Sequence, residues 1–186
     1  MKSLSLSKPH VIVVTGIPGS GKSFFAEKFA DTFNTPRVNY DAIVTLTGNN
    51  DAANVIATSQ LSELLKTKLS VVVEGMACTR ADRLDITKAA RNAGYDTLLV
   101  WVQTDPATSK ARSQKDKGLS SEAYDAAVKK FAPPSKLEHP VVISGKHTYA
   151  TQAKIILKKL TSPRGEISTH STPPTRIEPP TSTRRN

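Results

Sequence analysis

Cysteine is almost absent from this sequence, which carries only Cys78 among its 186 residues. One cysteine cannot build a disulfide framework or a cysteine-based metal cluster within a single chain, and this usage is typical of a reducing cytoplasm. The four histidines show no spacing typical of metal ligands. We therefore expect a cytoplasmic protein without a metal site built from histidine or cysteine.

Long apolar runs are also missing, because no stretch approaches the roughly 20 apolar residues that a membrane-spanning helix needs. Residues 1–9 include a lysine but no apolar core, so we expect no signal peptide. Aromatic residues make up only 5% of the chain, with one tryptophan, which predicts a mainly aliphatic core. The sequence also lacks the Asn-Lys-x-Asp string of guanine-specific proteins, and this disfavours a GTPase.

Acidic residues are few: 16 of them stand against 26 lysines and arginines, which gives a net charge of +10. Such a balance favours polyanionic partners, nucleic acid among them, without identifying one. The length suffices for one domain with a real core, which we assign to residues 1–160. Residues 161–186 are rich in proline, serine and threonine and poor in large apolar residues, so we predict a disordered tail.

The remaining sequence alternates short apolar strands with helical segments, a pattern typical of a parallel sheet covered on both faces. Residues 43–51 are interpreted as polar, with a loop at 48–51, and a strand is predicted over 37–40 just before it. The predicted strands begin near His10, Arg37, Leu69, Thr97 and Val141. The expected fold is an α/β fold, a three-layer α/β/α sandwich with a five-stranded, mostly parallel sheet and a small helical lid at about 105–135.

One motif follows the first predicted strand directly and opens the first helix, as a phosphate-binding P-loop requires. Its residues are Gly16, Ile17, Pro18, Gly19, Ser20, Gly21, Lys22 and Ser23. The glycines let the backbone turn N–H groups toward an anion, and the helix adds its positive end. Lys22 would reach the β- and γ-phosphates of a nucleoside triphosphate, and Ser23 would hold Mg²⁺. The expected α/β fold is therefore that of a P-loop NTPase.

Acidic residues occur at the carboxyl ends of two further strands, where ligands bind in open α/β sheets. Asp41 suits the carboxylate that orients or deprotonates an acceptor hydroxyl, although it could also be a helix cap or turn residue. Glu74 suits a role at the acceptor or at the metal, where it would act through water. It could equally be a strand-end carboxylate that is hydrogen-bonded to local backbone.

A basic helix is predicted after Asp105-Pro106, followed by Gly118 and a second helix that ends at prolines, an arrangement that suits a mobile lid. Arg112 is the best candidate for a cation on the transferred phosphates, because a guanidinium bridges oxygens in a bidentate manner. Lys115 is a weaker candidate on the same helix. A run of charge on a helix is often only a solvated face.

Residues 9–160 resemble the small P-loop kinases that include polynucleotide kinases, zeta-toxin kinases and small-molecule phosphotransferases. The resemblance is carried by 16–26, by Val38-Asn39-Tyr40-Asp41, by 71–76 with Arg80 and Arg83 behind it, and by the Arg112 helix. It implies use of ATP and Mg²⁺, a general base at Asp41, Arg112 on the donor phosphates, and Phe24 beside the P-loop at the nucleotide. Glu74, Arg80 and Lys115 are then candidates for the acceptor side.

Polynucleotide kinases have an arginine three residues after the base, and Val44 occupies that position here. The acceptor therefore stays open between a polynucleotide 5′-hydroxyl, a nucleoside or sugar, and another small metabolite or drug. Two further classes remain: a P-loop switch or ATPase without acceptor chemistry, and a nucleic-acid-binding protein with a vestigial nucleotide site. The sequence leaves ATP against GTP and the oligomeric state undecided.

Overall fold

A computed structural model describes residues 8–161. Five strands form one sheet in the order β2-β3-β1-β4-β5, and every neighbouring pair is parallel. The strands are β1 (His10–Thr15), β2 (Arg37–Asn39), β3 (Val71–Glu74), β4 (Asp96–Gln103) and β5 (Val141–Ser144). The predicted five-stranded α/β fold is confirmed. The predicted tail lies outside the described residues.

Seven helices connect the strands in the described part of the chain. They are α1 (Lys22–Phe33), α2 (Tyr40–Thr47), α3 (Asn50–Lys66), α4 (Arg80–Asn92), α5 (Pro106–Lys117), α6 (Ser121–Lys130) and α7 (Tyr149–Thr161), with a 3-10 turn at Lys136–Glu138. None of these helices is long and apolar enough to cross a membrane.

Two apolar clusters sandwich the sheet because successive side chains of a strand point to opposite faces. On the α1 face, even-numbered residues of β1 such as Ile12 pack against Phe25 and Phe29 of α1 and Ile156 of α7. On the α4 face, odd-numbered residues such as Val13 pack against α3 and α4. Burial on both faces explains why the central strands read as continuous apolar runs.

Residues 43–47 belong to helix α2, which the sequence did not predict, and the loop predicted at 48–51 is shorter than expected because α3 already begins at Asn50. The second strand also ends one residue earlier than predicted, at Asn39, because Tyr40 already belongs to α2. Two local features decide the outcome. The Asn39 side chain accepts a hydrogen bond from the Ala42 N–H, and Gly48 ends α2 in the left-handed conformation with φ of 62°. No residue of α2 is fully buried.

Candidate active site

The P-loop connects β1 to α1 and is fixed from the β4–β5 side of the sheet. Gly19 has φ of +72°, and a Cβ atom there would overlap the backbone carbonyl of Ser109 in α5. A Cβ atom at Gly145, in the loop after β5, would likewise overlap the carbonyl of Ser20. The Thr104 hydroxyl donates to that same carbonyl at 2.9 Å. The loop therefore keeps a shape that only glycine allows at these two contacts.

Lys22 and Asp41 meet beside the P-loop, although 18 residues separate them in the sequence. Lys22 is buried at the first residue of α1, and its Nζ lies 3.8 Å from Oδ2 of Asp41. Asp41 lies in the first turn of α2, but Asn39 supplies the helix cap. The alternative that Asp41 serves as the cap is therefore not supported, and its carboxylate lies next to the lysine expected at the γ-phosphate.

Glu74 ends β3 with its side chain only 1% exposed. Its Oε1 accepts a hydrogen bond from Arg37 Nη1 at 3.0 Å, so its partner is a cation on β2 rather than local backbone. Its Oε2 has no hydrogen-bond partner among the described residues. Burial raises the pKa of Glu74, while Arg37, Lys22 and the Ser23 hydroxyl act in the opposite direction.

The arrangement fits a hydrated Mg²⁺ bound together with a nucleotide. Magnesium prefers oxygen ligands and keeps several waters, so it is held by few protein groups plus substrate phosphates. The Ser23 hydroxyl supplies one such oxygen, and the unsatisfied Oε2 of Glu74 beside it can accept a hydrogen bond from a metal-bound water. In residues 8–161 no group of three His, Cys, Asp or Glu side chains could hold a metal alone.

Arg112 lies across the sheet from this cluster, on the β4–β5 side. Its Nη1 donates to the Gly145 carbonyl at 3.0 Å, which connects α5 to the loop after β5. The same two segments are joined by an ion pair of 2.5 Å between Lys146 and Asp105, the residue that caps α5. The Lys146 ammonium holds the pKa of Asp105 below its ordinary value.

The predicted lid consists of α5 and α6, which hold each other through side chains. The Ser109 and Tyr124 hydroxyls lie 2.8 Å apart in the buried contact, and Lys110 pairs with Asp125 at 2.9 Å. Lys115 is exposed on α5. The candidates Arg80, at the start of α4, and Phe24, at the start of α1, are exposed as well.

Arg83 ties the segment after α6 to the loop after β3. Its guanidinium is buried, and it donates to both carboxylate oxygens of Glu138 and to the carbonyls of Ala132 and Ala77. The Ala132 N–H donates to the Cys78 carbonyl at 3.0 Å. The segment after α6 is thus attached to the loop that follows Glu74.

An open cleft of about 670 Å³ adjoins the P-loop on the α4 face of the sheet, over β4 and β5. Its apolar lining includes Ile17, Trp101, Phe131 and Val142. Its polar lining includes Gln103, Asp105, Ser144 and Lys146. The cleft therefore lies on the side of Arg112, and Lys22, Asp41 and Glu74 do not line it.

The structure divides the predicted site residues into two groups around the P-loop. Lys22, Ser23, Asp41 and Glu74 come together at the β2–β3 side, and Arg112 lies at the β4–β5 side. The contact between Arg37 and Glu74 was not predicted from the sequence. In the sequence, Arg37 is marked only as a charged residue at the start of a predicted strand, and Glu74 only as an acidic residue at the end of another.

Comparison with known proteins gives a family and a fold. A family model described as an AAA domain matches residues 11–134. A gluconokinase from Sinorhizobium meliloti is similar in structure, with a TM-score of 0.64 and 21% identity over 82% of this chain and 91% of that chain. The APS kinase CysC of Mycobacterium tuberculosis, solved with AMPPNP and APS, has a TM-score of 0.61 and 18% identity over 83% and 99%.

A third similar structure is the Pnkp1/Rnl/Hen1 RNA repair complex, with a TM-score of 0.57 and 19% identity over 68% of this chain and 45% of that chain. A sequence search of curated proteins gave no match. At these identities the solved structures show the fold alone, which is that of P-loop kinases.

Proposed function

The chain belongs to the AAA domain family and has a P-loop kinase fold, and from that premise we propose that it transfers the γ-phosphate of ATP to a hydroxyl group. One observation carries the proposal: Asp41 lies 3.8 Å from the P-loop lysine Lys22. A phosphate-binding lysine next to a carboxylate is what transfer to an alcohol needs, because the hydroxyl and the γ-phosphate must meet there.

Each residue then has a distinct part in the reaction. The P-loop backbone and Lys22 bind the phosphates. Asp41 accepts the proton of the acceptor hydroxyl as the hydroxyl oxygen attacks the γ-phosphorus. The bond between that phosphorus and the β–γ bridging oxygen breaks, and ADP leaves. Mg²⁺ bound at Ser23 would neutralise phosphate charge during this transfer.

Arg112 supports the donor side of the same proposal. It lies beside the loop after β5 and close to the cleft, where the nucleoside of ATP can extend from the P-loop. Its guanidinium can leave the Gly145 carbonyl for phosphate oxygens, which are stronger acceptors because they are charged. The weaker candidates Lys115 and Arg80 would act on the acceptor side of the site.

The acceptor is proposed at the level of a class. The net charge of +10 and the RNA repair complex among the similar structures favour the 5′-hydroxyl of a polynucleotide. Val44, an apolar residue one turn after Asp41 on α2, favours a small molecule instead, as do the gluconokinase and APS kinase likenesses. We also propose a cytoplasmic location, because the lone Cys78 suits a reducing compartment.

The test is transfer of label from γ-labelled ATP with Mg²⁺ to a pool of acceptors that contains 5′-hydroxyl DNA, 5′-hydroxyl RNA, nucleosides and sugars. We expect label on one acceptor class with the native chain and none with Lys22→Ala. Lys154→Ala removes an exposed lysine from α7 and is the matched control. Release of label to water alone would instead support an ATPase or switch without acceptor chemistry.

A further inference from the structure

Arg37 joins β2 to the carboxyl end of β3 through its charged side chain. In the register of these strands Arg37 lies opposite Val72, and Asn39 lies opposite Glu74. The arginine side chain therefore runs forward along the sheet, on the α1 face, to reach Glu74 two residues ahead. It is 23% exposed, whereas Glu74 is 1% exposed, so the pair lies mostly within the protein.

The contact uses one carboxylate oxygen and leaves the other without a partner. Arg37 Nη1 binds Oε1 of Glu74 at 3.0 Å, and Oε2 has no hydrogen-bond partner in the described residues. A buried carboxylate oxygen without a partner costs free energy, so native proteins rarely keep one without a reason. The neighbours of this carboxylate include Ser23 and Lys22, both in the P-loop.

Arg37 also contacts a second carboxylate. Its Nη2 lies 3.6 Å from Oε2 of Glu27, which is on α1 and is 56% exposed. An exposed ion pair at this distance contributes little free energy, so the stronger interaction of the guanidinium is the one with the buried Glu74. The planar fork of arginine directs Nη1 at Glu74 and Nη2 at Glu27 at the same time, which the point charge of a lysine ammonium cannot do in the same way.

From these contacts we propose that Arg37 is a positioning residue for the magnesium site. It holds Oε1 of Glu74 so that Oε2 remains directed at the Ser23 side of the P-loop, ready to accept a hydrogen bond from a metal-bound water. Groups that are hydrogen-bonded to a metal ligand, as Glu74 would be to the bound water, usually change metal affinity about 10–100-fold when they are removed, so loss of the residue that orients Glu74 should act at the low end of that range. The inference rests on the proposed function, because it requires that the P-loop binds a nucleotide with magnesium.

The test measures metal affinity directly instead of turnover. Mg²⁺ is titrated by calorimetry into the protein saturated with ADP, and ADP binding is measured separately in EDTA. We expect Arg37→Met to weaken Mg²⁺ binding about tenfold or more, with unchanged ADP binding in EDTA, and Arg37→Lys to recover part of the loss. Glu27→Gln, which removes the other partner of the same arginine, should leave Mg²⁺ affinity unchanged.

A double-mutant cycle separates positioning from a merely structural pair. In a Glu74→Gln background, which removes the buried charge, Arg37→Met should cause no further loss of Mg²⁺ affinity. This pair also removes both charges together, so it provides a folded protein if Arg37→Met alone unfolds. Equal losses in the two backgrounds, or full Mg²⁺ affinity in Arg37→Met, would overturn the proposal. A native chain that binds no ADP at all would refute the proposed function instead.

Discussion

The two sides of the P-loop are built by different means. On the β2–β3 side, charged groups meet in a largely buried cluster of Lys22, Asp41, Glu74 and Arg37. On the β4–β5 side, the P-loop is held by close backbone contacts at Gly19 and Gly145 and by the hydrogen bond from the Thr104 hydroxyl to the Ser20 carbonyl. The charged side depends on residue chemistry, and the other side depends on shape. We therefore expect a substitution at Asp41 to affect the transfer step and a substitution at Gly19 to affect nucleotide binding.

The largest effect is expected on the charged side, from Asp41→Asn. This change keeps the shape of the side chain but removes the proton acceptor, so phosphate transfer should fall about 10²–10⁴-fold, the usual contribution of general-base catalysis. The affinity for ATP, measured by calorimetry, should stay within about twofold. Asp51→Asn, on the neighbouring helix α3, is the matched control and should transfer at the native rate. Native transfer activity in Asp41→Asn would show that Asp41 is not the proton acceptor.

A second change, Gly19→Ala, probes the side that depends on shape. The new Cβ atom would overlap the Ser109 carbonyl, so α5 or the P-loop must shift and phosphate hydrogen bonds are lost. With about 1.5–3 kcal/mol for each charged hydrogen bond, ATP affinity should fall about tenfold or more. The measurement is ATP binding by calorimetry.

Gly48→Ala is the control for Gly19→Ala, because it isolates backbone strain. Gly48 has φ of +62°, near that of Gly19, but open space surrounds it. The control should lose about 1–2 kcal/mol of stability from the left-handed backbone alone and keep native ATP affinity. Equal ATP affinities in the two variants would show that the contact with α5 does not shape the P-loop.

The smallest effect on the reaction is expected from Arg83→Met, which cuts the tie between the loop after β3 and the segment after α6. Arg83→Met should instead lower the free energy of unfolding by about 3 kcal/mol at neutral pH, because Glu138 loses its buried partner. Hydrogen bonds from Arg83 hold the pKa of Glu138 at about 2, below its ordinary value of 4.5. The contribution of the pair is therefore complete above about pH 4.5 and is lost as the pH falls toward 2.

Denaturant unfolding of the native chain and of Arg83→Met between pH 7 and pH 2.5 checks this expectation. The difference in unfolding free energy should shrink steadily below about pH 4.5. Lys88→Met, which breaks an exposed pair with Asp85, serves as the control and should cost less than about 0.5 kcal/mol at every pH. A difference for Arg83→Met that grows on acidification would contradict the assigned role of Glu138.

The sequence predicted those features that are encoded by neighbouring residues. The P-loop, the strand before it and the helix after it form one continuous stretch, so their pattern was sufficient. Helix α2 was missed because it has no fully buried face, and its ends are set by Asn39 and Gly48 rather than by apolar spacing. The spacing of apolar residues therefore carries little information about such a helix.

The parts of the site that the sequence did not predict depend on contacts between distant residues. Arg37 meets Glu74 only because β2 and β3 are neighbours in a particular register. Arg83 meets Glu138 across 55 positions of the chain, and no local pattern marks that pair. Asp41 and Glu74 were found because strand ends collect at one edge of a parallel sheet, a rule that needs no pairing information.

The cleft beside the P-loop has a practical consequence for the experiments above. It contains Trp101, which is partly exposed and is the single tryptophan of the chain. Tryptophan emission, excited selectively above the tyrosine absorption, therefore arises from one known place, beside the P-loop residue Ile17. A ligand that enters there changes the polarity around one indole ring, so occupancy can be followed in solution without a dye or a label.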